Sequence, residues 1–264
     1  MTGAKPANTP VAKAPAAATP ATAAAAATSD DEVIPHSKLR KQTAAHMVKS
    51  VTTSPHVLQA VEVDFERVDQ ARAARGDAWK AREGFALTYL PFIARAVCEA
   101  IAEFPKVNAS FTEDALVVHK RVHLGVAVDL QFEGLMVPVV RDAHKLDVAA
   151  LAREISRLAA AARAGTLIPD EVTGGTYTLS NSGPFGTLIT AAIISQPQVA
   201  ILSTDGVRKK PVVLESASGD IIAIRPVGVL AQSFDHRAFD GAYSAAFLRK
   251  VKQVLESRDW LALI

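Results

Sequence analysis

The sequence predicts one mixed α/β domain behind an N-terminal spacer, on three observations. From Ile34 onward, short runs rich in Val, Ile and Leu alternate with amphipathic segments of helix length, without internal repeats. Residues 1–28 hold almost nothing but Ala, Pro and Thr, with Lys5 and Lys13 as the only charges, and Pro6, Pro10, Pro15 and Pro20 block a continuous helix. Finally, 49% hydrophobic but only 6% aromatic content means that Ala, Val, Leu and Ile carry the core, which excludes fibrous and disulfide-rich classes. The division that follows is a linker over residues 1–32 and a folded domain over 33–264, the chain's 264 residues being ample for a large core.

The elements follow in order. Residues 37–50 set Leu39, Ala44, Met47 and Val48 among basic side chains, an amphipathic helix. Residues 57–64 alternate as a strand, and 89–104 form a nearly all-apolar, buried helix that Pro105 stops. Strands are expected at 115–119, 122–129 and 135–140, then a helix over 148–164 that Gly165 ends. Strands at 176–180, 199–205 and 221–232 precede a last helix over 242–255, and the apolar run 188–194 reads as core.

Several functions are excluded. Twenty-nine basic against 27 acidic residues leave a net charge of +2, too balanced for a dedicated nucleic-acid binder. No apolar run approaches the roughly 18 residues of a membrane span, and 23–27 lacks the Leu or Val of a signal peptide, which points to a cytoplasmic protein. Cys98 is the single cysteine, so a disulfide within the chain is excluded and a buried structural thiol is expected. Phosphate-loop, dinucleotide and zinc-helix signatures are missing. His119 and His123 are four apart, but in strand surroundings that spacing is roughly 13 Å, too far for one ion, so no metal is expected. His36, His46, His56 and His144 read as solvated or capping, with His56, just after Pro55, the one suited to a positional role.

Two segments concentrate chemistry. Residues 233–241 place His236, Arg237 and Asp240 between a buried strand and an apolar helix, where a rigid scaffold presents reactive groups; a helix cap by Asp240 is the plainer reading. Residues 174–186 run a hydroxyl-rich strand into a glycine turn, which an edge strand with a flexible loop also explains. Ser180 or Ser182 with His236 and Asp240 would make a hydrolase, but neither serine sits in a G-x-S-x-G elbow.

Together these segments resemble the catalytic domain of the dihydrolipoamide acyltransferase (E2) family of 2-oxoacid dehydrogenase complexes. Asp235, His236, Arg237, Asp240 and Gly241 fit the pattern D-H-R-x-x-D-G. Leu87 to Phe92, Val107 to Ser110, Gly134 to Asp142 and Thr176 to Asn181 support it in the family's order, over residues 33–264. The spacer is similar to the linkers that tether mobile domains in these enzymes.

The resemblance implies a chloramphenicol-acetyltransferase-like fold, an α+β two-layer sandwich that forms a homotrimer, with each active site at a subunit interface. It implies His236 of one subunit as general base facing Ser180 of its neighbour, which stabilises the oxyanion; Ser182 is the less favoured donor. Asp240 is expected to hold the histidine loop through an arginine, with Arg40 as the partner, and Arg237 to brace the loop that Gly241 closes. Lys38, Arg40 and Lys41 either meet coenzyme A phosphates or form a solvated face. Coenzyme A is the implied co-substrate, and the lipoyl group rides on a domain that this sequence does not contain. The implied partners are the 2-oxoacid dehydrogenase (E1) and dihydrolipoamide dehydrogenase (E3), with larger cages built from trimers; the ending 260–264 either joins trimers or closes the domain's own core. Acetyl is slightly favoured over succinyl and branched-chain acyl groups. A non-catalytic scaffold of this fold, and transfer to another small acceptor, are the alternatives.

Overall fold

The structure, a computed structural model, describes Thr28 and residues 30–264, so most of the expected 1–32 linker lies outside the described residues. The chain divides into two units, 1–36 and 37–264. In the first, the described residues form no helix or strand, and the Thr28 backbone N–H and hydroxyl donate to Asp31.

The second unit begins with α1 (Lys38–Thr53), whose N-terminus Ser37 caps by accepting the Arg40 N–H. β1 (His56–Asp64), α2 (Glu66–Glu83) and α3 (Leu90–Glu103) follow. Next come the short strands β2 (Ala109–Phe111), β3 (Leu116–Val118), β4 (Leu124–Val126), β5 (Val128–Asp129), β6 (Leu135–Met136) and β7 (Val139–Val140). α4 (Val148–Ala164), β8 (Tyr177–Asn181), β9 (Ala200–Thr204), β10 (Arg208–Leu214), β11 (Ile221–Asp235) and α5 (Gly241–Ser257) complete it.

One mixed sheet carries the order β1-β11-β9-β8-β4-β7. β11 is its longest member: residues 227–235 pair with β1, and the preceding half leaves the body to pair antiparallel with β10. Among the described strands only β4–β8 and β8–β9 are parallel. Against this sheet stands the helical layer: α5 lies on β1 and β11, and α3 packs on α5 and α4. α3 buries ten of its fourteen residues, as its apolar sequence requires. Phe92 on α3 meets Trp260 edge to face at 5.4 Å, and the buried Trp260 donates its indole N–H to Leu255 O, so the start of the C-terminal segment closes this domain's own core. Cys98 is buried in α3, and burial pushes its thiol up to about 12.

Local chemistry explains the agreements. Asp147 caps α4 by accepting the Ala150 N–H, and Gly165 ends it at φ 67°.

The departures are equally physical. α2 escapes the pattern because only Val68, Ala71 and Trp79 of its 18 residues are buried; β2 and β10 are also additions. The expected strands 122–129 and 135–140 each break in two. β4 stays in the main sheet, while β5 and β6 form a separate hairpin turned by Gln131 and Phe132 at positive φ. Between β6 and β7, Pro138 has no N–H for a ladder, although its carbonyl accepts the Val126 N–H.

The run 188–194 is not core: only Ile194 is buried, while Leu188, Ile189 and Ile193 are exposed and outside any helix or strand. Polar bonds hold it instead, since the buried Asp205 carboxylate accepts from the Thr187 and Thr190 hydroxyls and from the Thr190 N–H. No helix among the described residues is long and apolar enough to cross a membrane.

Candidate active site

β11 delivers His236. The Asp235 N–H donates to Val199 O, the His236 N–H to Pro55 O and the Ala238 N–H to Asp235 O, so the backbone is tied at each step of the turn. Beneath it, Phe234 and Phe239 stack at 5.1 Å. Arg237 turns back on Asp235 with its backbone N–H (2.9 Å), Nε (3.0 Å) and Nη2 (2.6 Å), and lies over the Phe111 ring at 4.4 Å. Burial works to raise the Asp235 carboxyl, but the Arg237 guanidinium and N–H and the Ser54 hydroxyl outweigh it and hold the group below its ordinary value. The clamp leaves the imidazole of His236 nearly half exposed, with Nδ1 3.8 Å from Oδ1 of the exposed Asp240.

Asp240 occupies the cap position of α5 without a side-chain cap bond, so helix capping does not account for its carboxylate. Arg40 is exposed and, among the described residues, makes no ion pair with Asp240 within the chain; the contact Asp240 does make is to His236. A Cβ on Gly241 would come 3.1 Å from the Gln59 amide nitrogen, so α5 starts close against β1.

Ser180 sits elsewhere. It is half-buried on β8, opposite Ser203 of β9, and its hydroxyl has no hydrogen-bond partner among the described residues. It faces a cavity of about 570 Å³ shared with Thr178, Val137, Ile201, Ile193 and, from α1, His46 and Met47. A second cavity of about 660 Å³ shares His46, Val137 and Ser195 with the first and adds His119, His123 and Gln198. Ser182 is a turn residue: its N–H donates to Thr204 O, and its carbonyl accepts from the Phe185 N–H and the Thr187 hydroxyl.

The sheet register separates the two reactive groups. Ser180 is level with Ser203, and Ser203 with Ala231 on β11. His236 lies from residue 231 to 236 further along that strand, roughly 17 Å at an extended rise, with β9 in between. One chain therefore does not bring His236 to Ser180, and His236 lines neither cavity.

Sequence reasoning missed the cavity face of α1. The expected stripe of Leu39, Ala44, Met47 and Val48 fails, because Ala44 and Val48 are exposed. The inward face is Leu39, Thr43, His46, Met47 and Ser50, spaced three and four apart, with Ser50 donating to Ile194 O at 2.6 Å. Its polar members hid that spacing, and His46 is a half-buried wall residue rather than a solvated histidine. His56 is positional: Nδ1 donates to Ser54 O (2.7 Å) and Nε2 accepts the Ile194 N–H (3.0 Å), tying the 188–194 loop to β1.

His119 and His123 are engaged separately, His119 Nε2 with the Ser110 hydroxyl at 3.0 Å and His123 Nδ1 with the Asp142 N–H at 3.1 Å. Burial and then the Arg141 charge hold His123 below the usual histidine range. No group of three or more potential metal ligands gathers among the described residues.

Residues 28–263 match the family model for the 2-oxoacid dehydrogenases acyltransferase (catalytic domain). The chain is 37% identical over 234 residues to the lipoamide acyltransferase component of the branched-chain alpha-keto acid dehydrogenase complex of Bacillus subtilis, covering 89% of this chain and 54% of that protein. It is 41% identical over 223 residues to the dihydrolipoyllysine-residue acetyltransferase component of the pyruvate dehydrogenase complex of Mycobacterium bovis, covering 83% and 40%. The chain thus spans about half the length of these curated relatives.

Among solved structures, a probable dihydrolipoamide acetyltransferase from Listeria monocytogenes superposes with a TM-score of 0.82 at 36% identity, over 86% of this chain and 95% of that one. The dihydrolipoamide acetyltransferase of Azotobacter vinelandii superposes with a TM-score of 0.81 at 30% identity, over 89% and 95%. That structure belongs to an investigation of a serine, a histidine and, four positions after the histidine, an asparagine in its catalytic mechanism.

Proposed function

The chain belongs to the family of 2-oxoacid dehydrogenase acyltransferase catalytic domains, and from that premise we propose that it moves an acyl group between dihydrolipoamide and coenzyme A. The observation that carries this reading is His236, an exposed imidazole on a loop clamped by the Arg237–Asp235 pair, with Asp240 four residues on. The serine, histidine and asparagine of the Azotobacter relative support assigning Ser180, His236 and Asp240 as its counterparts, with Asp240 in place of the asparagine.

A thiol is mostly protonated at neutral pH, so attack on a thioester needs a base. His236 takes the proton from the coenzyme A thiol as sulfur bonds to the acyl carbon. Negative charge moves to the acyl oxygen, where the unpartnered Ser180 hydroxyl donates to it. Collapse breaks the bond to the dihydrolipoamide sulfur, which receives the proton from His236. Ser180 is never acylated, which separates this reaction from serine hydrolysis.

Because one chain holds the two groups apart along its sheet, the site is completed by a neighbouring copy, and cyclic symmetry makes three such sites in a homotrimer. Such trimers would build the core, or a larger cage, on which a 2-oxoacid dehydrogenase and a dihydrolipoamide dehydrogenase assemble in the cytoplasm. The 1–32 segment serves as a linker toward tethered domains. Acetyl is the first acyl group to test.

The experiment is transfer from acetyl-coenzyme A to free dihydrolipoamide, comparing the native protein with His236→Ala, and particle mass by light scattering. Turnover that collapses in the variant while the trimer persists supports the reading. Unchanged turnover in the variant removes His236 as the base, and no transfer by assembled native protein moves the assignment to a scaffold.

A further inference from the structure

The cavity against Ser180 also bears on which acyl group is transferred, an inference that rests on the acyltransferase reading above. We propose that this cavity is the acyl pocket, that it takes uncharged aliphatic groups, two-carbon or branched, and that it rejects groups ending in a carboxylate.

An acyl oxygen held by the Ser180 hydroxyl lies about 3 Å from it, so the rest of the acyl group extends into the space that Ser180 lines. That space is about 570 Å³, far beyond what two carbons need when one water occupies about 30 Å³. Its apolar walls include Met47, Val137, Ile193 and Ile201, with the small Ala127 and Ala192 leaving room for a branch, while Gln42, Thr43 and Ser195 add polar groups that carry no charge.

Among the described residues no lysine or arginine lines these walls, and the one titratable lining residue is His46. The cations of α1, Lys38, Arg40, Lys41 and Lys49, lie off its inward stripe and are exposed. Thr178 donates its hydroxyl to Gln198 at 2.7 Å. The His236 loop of a neighbouring copy adds no free cation either, since its Arg237 is committed to Asp235, and it brings the negative Asp240. A carboxylate drawn into this pocket would lose its water without gaining a positive partner, while an aliphatic branch gains contact with the walls.

The test measures kcat/KM for acetyl-, isobutyryl- and succinyl-coenzyme A with free dihydrolipoamide on the assembled native protein. Isobutyryl is expected within about tenfold of acetyl, and succinyl at least about a hundredfold lower. Succinyl within tenfold of acetyl would overturn the pocket's charge selectivity; if that transfer then vanished in His46→Gln, His46 would be the carboxylate's partner. No transfer from any donor by assembled protein would overturn the acyltransferase reading, and the pocket's role with it.

Ala192→Leu narrows the cavity from its half-buried wall. It should lower isobutyryl transfer about tenfold relative to acetyl. Equal loss with both donors would refute the assignment of this cavity to the acyl chain.

Discussion

The loop that carries His236 and the region that carries Ser180 lie toward opposite ends of one sheet and are held in different ways. The first is tied through its backbone at Asp235, His236 and Ala238, rests on the stacked Phe234 and Phe239, and is locked by a guanidinium on a buried carboxylate. The second combines a strand residue with a free hydroxyl, an apolar cavity, and a loop whose Leu188, Ile189 and Ile193 stay exposed. That loop depends on hydroxyls converging on Asp205 and on the His56 bridge. Under the proposed function, the contrast teaches that a base and the site it serves need different support: an imidazole acting as base must be aimed, whereas groups that take up an acyl chain must leave space.

Substitutions can break that contrast in order of size. His236→Ala should lower kcat by about 10²- to 10⁴-fold with the melting temperature nearly unchanged, because the ring is nearly half exposed; steady-state rates and thermal melts check it. Ser180→Ala should cost about 10²- to 10³-fold in kcat and leave the fold alone, since its hydroxyl bonds to nothing within the described chain.

Arg237→Met leaves the Asp235 carboxylate buried without its cation. Allowing for the partial exposure of the guanidinium, about 1–3 kcal/mol of stability should be lost in urea titration, with turnover falling through misplacement of His236. The same pair sets a pH dependence. The Asp235 carboxyl sits below its ordinary value, so the clamp's contribution is complete above the ordinary carboxylate pKa of about 4 and is lost as pH falls through the lower native value. Melts between pH 7 and 3 should therefore show an acid decline that is shallower in Arg237→Met.

On the other side, Thr187→Val removes one hydroxyl from Asp205 and should cost about 1–2 kcal/mol, with faster hydrogen exchange across residues 188–194. Arg40→Met is expected to change stability by less than about 0.5 kcal/mol, and turnover little, since Arg40 is exposed and unpaired with Asp240 in the chain. A marked loss of turnover would restore Arg40 as a partner of Asp240 across the subunit contact.

Much of the fold was legible where the local pattern is dense. Residues 148–164 carry their own cap and stop, and α3 is too apolar to be anything but buried. α2 was not legible, because three buried residues spread over 18 leave no stripe that outweighs its charges. The apolar run 188–194 misled for the opposite reason: hydrophobicity alone does not say whether a segment reaches its own core. In the candidate site, His236, Arg237 and Asp240 stood out because they cluster where an apolar strand meets an apolar helix, and Ser180 because it lies in a hydroxyl-rich strand that runs into a glycine turn. His46 and Thr43 did not, being polar residues on an inward helix face whose neighbour is some 130 positions away in sequence at Thr178 and Ser180.

By itself, the sequence singled out His236 and Ser180 as candidates for the chemistry, and it determined the capped helix over 148–164 and the family. These follow from short-range chemistry, in which spacing along the chain and spacing in space agree. Tertiary structure decided that Ser180 and His236 stand apart in one chain, that 188–194 remains outside the core, and that α1 walls the cavity. Those outcomes depend on strand order and register, since pairing β8 through β9 to β11 sets the reactive ends at different heights of the sheet.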